Sequence, residues 1–138
     1  KWTGDHLSNR GELPAKANYE VMKQLFLIEN VGKKISDYLI EKGYPKICLY
    51  AITDIGKALM KVLAGQKVEV ECIYDRNTCL TEWNGLEVKK PTCENLEKLE
   101  KPLLVTLVAR HGEMDEFLRH HGYKGQILCL KDILAECE

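Results

Sequence analysis

The chain has 138 residues, 45% hydrophobic and 30% charged, with 20 Lys+Arg against 21 Asp+Glu and a formal net charge of −1. This is the make-up of one folded soluble domain with a real core, and it is too short for two full-sized ones. No apolar run approaches the roughly 18 residues of a membrane span and no apolar signal segment opens the chain, so no membrane span is expected and a cytoplasmic location is. The near-neutral charge balance lacks the basic surplus that phosphate backbones demand, so nucleic acid is not an expected partner either.

The chain begins at Lys1 without an initiator Met, so either a processed product or a fragment cut from a longer protein is expected, the fragment being the preferred reading. Residues 1–16, KWTGDHLSNRGELPAK, mix Gly, Pro and charge without periodicity and read as an arm or linker. Within it Trp2 is either a poorly ordered terminal residue or an anchor against the domain or a partner. From Ala17, the residues Val21, Met22, Leu25, Phe26 and Ile28 recur at helical spacing. A second helix from about Lys33 carries Ile35, Tyr38 and Leu39 and stops at Gly43, so residues 17–43 form a helical extension.

The body, residues 44–138, alternates strand and helix. KICLYAI is a strand; Ile55, Ala58, Leu59, Val62 and Leu63 mark a helix closed by Gly65. In KVEVECIY, Val68, Val70, Cys72 and Tyr74 alternate on one side of a second strand. Asn84-Gly85 is a turn signal before a short third strand around Leu86 to Val88, which Pro91 stops, and Thr92 to Leu99 is a short helix. PLLVTLVA is a fully apolar fourth strand, Met114, Phe117, Leu118 and His121 mark a helix ended by Gly122, and strand QILCL and helix KDILAEC close the chain. Such alternation predicts a three-layer α/β architecture with an open, mainly parallel sheet of five strands in the order 3-2-1-4-5, preceded by the helical extension.

The six cysteines never fall at C-x-x-C or Cys/His ligand spacings, so free thiols and no metal are expected. Cys48, Cys72 and Cys129 lie in apolar runs, where cysteine acts as a small buried hydrophobe, whereas Cys79 and Cys93 lie outside such runs and are the two that could be reactive or bind metal.

In an open parallel sheet, ligands bind at the carboxyl ends of the strands beside the switch point. The first such turn is the place of a G-x-G-x-x-G fingerprint, and this chain reads Ala51-Ile52-Thr53-Asp54-Ile55-Gly56 there. Gly56 keeps the glycine that lets helix and strand pack closely. Thr53 replaces the one that lets backbone approach a pyrophosphate. Ala51 replaces the tight-turn glycine, which it can do if its φ stays negative. Asp54 adds a negative charge at the helix start that competes with a phosphate. About 20 residues on, Asp75 ends the second strand where a carboxylate would accept from a ribose, or serves as an ordinary turn residue, with Arg76 beside it as a pairing partner. Thr106, Arg110 and His111 lie on or after the fourth strand and could face the same crevice, Arg110 for an anion and His111 for proton transfer; no nucleophile, base and orienting group stand together.

From Ile35 to the C-terminus, the order ISDYLIEKGYPKICLYAITDIGKAL, VECIYDRN, NGLEVKKP, LLVTLVA and ILCLKDIL resembles small Rossmann-like NAD(P)-binding domains of bacterial sugar-modification and polysaccharide-biosynthesis proteins. Members typically read I-Y-G-x-G-x-x-G, an aspartate ending the second strand, G-x-x-V, I-V-T and a closing S-L-x-D-I-L. Gly56, Asp75, Val105-Thr106 and Asp132-Ile133-Leu134 match, and Ala51 and Thr53 depart at the two positions that would hold the nucleotide.

The resemblance implies a degenerate nucleotide-binding domain serving as a non-catalytic accessory or assembly module. A body of roughly 95 residues, below the usual ~150-residue guide for a domain, is expected to be too small for a complete dehydrogenase. The alternative is a working NAD(P) or sugar-nucleotide binder of an oxidoreductase or epimerase whose catalytic part lies elsewhere, and a remote third is a Cys/His metal or redox protein. The cofactor is thus NAD(P), another nucleotide or none. The N-terminal helices are expected to serve a homo-oligomer or partner domain, or to pack on their own sheet.

Overall fold

The computed structural model describes residues 5–137. Helix α1 (Asp5–Leu27) and helix α2 (Val31–Glu41) precede the sheet. Then follow β1 (Lys46–Tyr50), α3 (Asp54–Leu63), β2 (Glu69–Tyr74), β3 (Glu82–Trp83), β4 (Leu86–Lys89), α4 (Cys93–Lys98) and β5 (Leu103–Val105). A 3-10 turn at Val108–Arg110 leads into α5 (His111–His120), and β6 (Ile127–Cys129) runs directly into α6 (Leu130–Cys137). None of the helices among the described residues is long and apolar enough to cross a membrane.

The chain is α/β with a six-stranded, mostly parallel sheet in the order β3-β4-β2-β1-β5-β6. The expected five-strand order 3-2-1-4-5 is therefore corrected to six strands, 3-4-2-1-5-6, the difference being one edge strand that the expectation lacked. Residues Glu82–Trp83 add an antiparallel edge strand against β4. Asn84 and Gly85, both at positive φ (51° and 79°), make the two-residue turn that joins them, the backbone a tight right-twisted hairpin requires. Two residues are too few to show an alternation, which is why β3 escapes a periodicity reading.

Helices cover both faces. On one, Val21 and Leu25 of α1, Val31, Ile35 and Leu39 of α2, Leu59 of α3 and Leu134 of α6 pack over Ile47, Leu49, Ile73 and Leu104. On the other, Leu96 of α4 and Met114 and Leu118 of α5 pack over Cys48, Tyr50, Tyr74 and Val105. The helical extension thus spends its apolar stripe on its own sheet. Helix α1 begins at Asp5, so residues 5–16, expected as an arm or linker, continue the helix through Pro14, and Trp2 lies outside the described residues. Helix α2 ends as expected at Gly43, where φ is +88° and the Gly43 and Tyr44 amides donate to the Ile40 and Leu39 carbonyls.

Two features depart from the sequence pattern. The β1–β2 register shifts by one residue between the pairs Ile47↔Val70 and Leu49↔Ile73, a bulge in β2. An extra residue turns every later side chain to the opposite face. Val68 and Val70 therefore face the α2–α3 side, while Cys72 and Tyr74, expected on the same side as the valines, face α4 and α5. The second feature is Gly32 in the first turn of α2. A Cβ there would lie 1.8 Å from the Val62 carbonyl oxygen, so this is the glycine at which two elements meet backbone to backbone.

Candidate functional site

Chain order moves outward from β1 through β2 on one side and returns through β5 on the other, so the switch point lies at the carboxyl ends of β1 and β5. Here the structure brings together Ala51, Thr53 and Gly56 from the β1–α3 turn, Asp75 and Arg76 from the end of β2, and Thr106 and Arg110 after β5. The sheet holds the turn tightly: the Ala51 amide donates to the Tyr74 carbonyl at 2.7 Å and the Thr106 amide to that of Tyr50 at 3.1 Å.

Ala51 has φ +86°. It adopts the left-handed region itself, against the expectation of a negative φ, so the backbone has the shape of a glycine turn with a methyl group on it. Buried to 5% exposure between two strand ends, the residue is held there by its neighbours.

Thr53 is the N-cap of α3, with extended backbone and a hydroxyl that accepts from the Gly56 amide at 3.0 Å. The same hydroxyl donates to Thr106 Oγ1 at 3.0 Å, and Thr106 Oγ1 in turn donates to the Ala51 carbonyl at 2.8 Å. One chain of hydroxyls thus ties the helix start to the end of β5. Gly56 was expected to permit close packing, but a Cβ there would meet Thr53 Oγ1 and Thr106 at 3.5–3.6 Å, ordinary contact. Close approach is required at Gly32 instead.

Both oxygens of Asp75 are occupied by backbone. Oδ2 accepts from the Ile52 amide at 2.8 Å and Oδ1 from the Asn77 amide at 2.8 Å. The carboxylate is therefore a clamp across the first turn as well as the cap of its own. Arg76 lies with its guanidinium 4.8 Å from the centre of the Phe117 ring, in cation–π contact, instead of pairing with Asp75. Asp54 opens α3 at the exposed edge, and Arg110 pairs with Glu113 at 3.0 Å. Burial pushes the Tyr50 hydroxyl up and the neighbouring Arg76 charge pulls it back in part, which leaves a neutral phenol on the wall.

Two cavities adjoin here. The smaller, about 220 Å³, is lined by Tyr50, Ala51, Asp75 and Arg76. The larger, about 560 Å³, lies between α3 and α1 and includes Asn18, Tyr19 and Met22 of α1 with Asp54 and Thr106. Thr53 and Arg110 line both, and His111, expected to face the crevice, lines neither. Its Nδ1 is buried without a hydrogen-bond partner at the start of α5. The α1 residues of the larger cavity escape sequence reasoning, since nothing in a helical repeat says which cleft it will roof.

The hydroxyls of Thr53 and Thr106 are spent on each other and on backbone, and the Asp75 carboxylate on two amides, so these groups hold the turn closed instead of standing ready for proton transfer. No group of three or more His, Cys, Asp or Glu side chains comes together to hold a metal among the described residues. Comparison with protein-family models, curated proteins and solved structures gives no match for this chain.

Proposed function

We propose that this chain is a degenerate Rossmann-like domain that serves as a non-catalytic accessory or assembly module linked to sugar or polysaccharide metabolism. The observation that carries the reading is the closure of the first turn by the protein's own side chains. The Ile52 amide is taken by Asp75 and the Gly56 amide by Thr53, the donors a phosphate at a helix start would need. Asp75, the residue that would hold a ribose, is thereby turned inward. The crevice it leaves, about 220 Å³, is below the 300–1,000 Å³ usual for small-molecule sites. The link to sugar metabolism rests on the sequence resemblance alone. A partner domain or second copy would dock on the outward face of α1, where Phe26 and Leu27 are each 69% exposed.

A second reading is favoured by the larger cavity. At about 560 Å³, with Arg110 on its border, it has room for part of a nucleotide or sugar nucleotide delivered to a catalytic domain elsewhere. A thermal-shift panel of NAD(H), NADP(H), UDP-sugars and nucleoside diphosphates separates the two. The accessory reading expects no shift with any of them. A nucleotide present at about 100 times its dissociation constant would add about 2.7 kcal/mol, a shift of several degrees that would overturn it. Thr53→Gly, which removes the hydroxyl from the Gly56 amide, tests whether the turn alone blocks binding.

A further inference from the structure

The bulge in β2 has placed two thiols together. Without it, the register Ile47↔Val70 would set Cys48 across from Glu71 and turn Cys72 to the opposite face. With it, Cys48 and Cys72 share the α4–α5 face of neighbouring strands, and their Sγ atoms lie 3.2 Å apart as free thiols in one S–H···S contact. We propose that Cys48 and Cys72 are a reversible redox pair, closed to an intrachain disulfide by a small hydroperoxide and reopened by thiols.

The geometry supports this chemistry. A disulfide needs a sulfur separation of about 2.05 Å, so closure asks for roughly 1 Å of movement, at a bulge where the ladder is already interrupted. Cys72 is the attacking group. The shared hydrogen bond with Cys48 lowers its thiol, aided by the Lys89 charge and opposed by burial, while the same contact and burial push Cys48 up. Cys72 is also the more accessible, 7% exposed against 1% for Cys48.

In the first step the Cys72 thiolate attacks one peroxide oxygen, the O–O bond breaks, and the hydroxide that leaves takes up a proton as water, giving Cys72 sulfenic acid. In the second, Cys48 sulfur attacks the Cys72 sulfur, the S–O bond breaks, and the departing hydroxide takes the Cys48 proton. Two thiols lose two electrons and one hydroperoxide is reduced, hydrogen peroxide giving two waters. The staple joins two strands that run on into the crevice, which Tyr50 and Ala51 line after Cys48 and Asp75 and Arg76 line after Cys72.

The test treats the native full chain with a few equivalents of hydrogen peroxide, unfolds it in acid, blocks free thiols with one maleimide, reduces, and labels with a second of different mass. The expected result is that the peptides of Cys48 and Cys72 take the second label in equal amounts and travel as one linked peptide before reduction. Dithiothreitol given to the native protein should reverse this. The exposed Cys79 and Cys93 serve as internal references for general thiol oxidation. In Cys48→Ala, Cys72 should stop at a sulfenic acid that dimedone traps; should that variant not fold, the wild-type map still decides. Retention of the first label by Cys48 and Cys72 while Cys79 and Cys93 are oxidised would overturn the proposal. So would conversion of Cys72 to sulfinic acid with no linked peptide.

Discussion

Substitution of Ala51 by glycine separates two opposed effects. At φ +86° an L-residue pays about 1–2 kcal/mol that glycine does not. Against that relief stand about 0.5–1 kcal/mol of extra chain entropy lost on folding and about 0.8 kcal/mol for one buried methyl group. The terms nearly cancel, so Ala51→Gly should leave stability within about 0.5–1 kcal/mol of the parent. Ala58, in the interior of α3 and buried to 7% exposure against 5% for Ala51, is the reference. There the same change gains no strain relief and should cost about 1.5–2 kcal/mol, the helix penalty of glycine plus the lost methyl group. Urea unfolding at constant m-value measures both, and a gap of about 1 kcal/mol or more in favour of position 51 is expected. Equal losses at the two positions would refute the claim that the sheet holds Ala51 in a strained turn.

The remaining expectations concern the same architecture. Gly32→Ala, whose Cβ would lie 1.8 Å from the Val62 oxygen, should lose about 2–3 kcal/mol by urea melts, whereas Gly56→Ala, with its nearest atom at 3.5 Å, should be neutral or gain up to about 1 kcal/mol. Thr53→Ala removes the N-cap of α3 and the link to Thr106 and should cost about 1–2 kcal/mol; a loss near zero would mean that the hydroxyl chain holds nothing. Asp75→Asn turns a charged acceptor of two amides into a neutral one and should lower stability by about 1–2 kcal/mol, with faster hydrogen exchange at Ile52 and Asn77. Burial raises the hydroxyls of Tyr50, Tyr74 and Tyr123, the last to about 12. The unfolded chain then sheds these protons first, so stability is intact below about pH 10 and falls as pH rises beyond it. Tyrosinate absorbance from these three should appear together with the loss of circular dichroism. Absorbance from all three well before unfolding would contradict their burial.

The strand and helix segments of the body are legible because each is a local matter. Apolar runs such as PLLVTLVA suit a strand covered on both faces, the spacing of Ile55, Ala58, Leu59 and Leu63 puts them on one helical face, and Gly43 and Asn84-Gly85 supply backbone that few other residues adopt. The sequence also located the turn after β1 and the aspartate after β2 as neighbours at the sheet's carboxyl edge. What those residues do was decided by contacts between segments distant in the chain. Asp75 reached the Ile52 amide, and Thr53 reached Thr106, because β2 and β5 flank β1. The left-handed turn at Ala51 is imposed by strands that pin both its sides, against its own preference. A one-residue bulge, invisible in an alternation that continues smoothly through Val70 and Cys72, moved a thiol and a tyrosine to the other face. Propensity and periodicity carry only information within a few residues, and the register between strands and the clefts roofed by helices are set by the packing of the whole core.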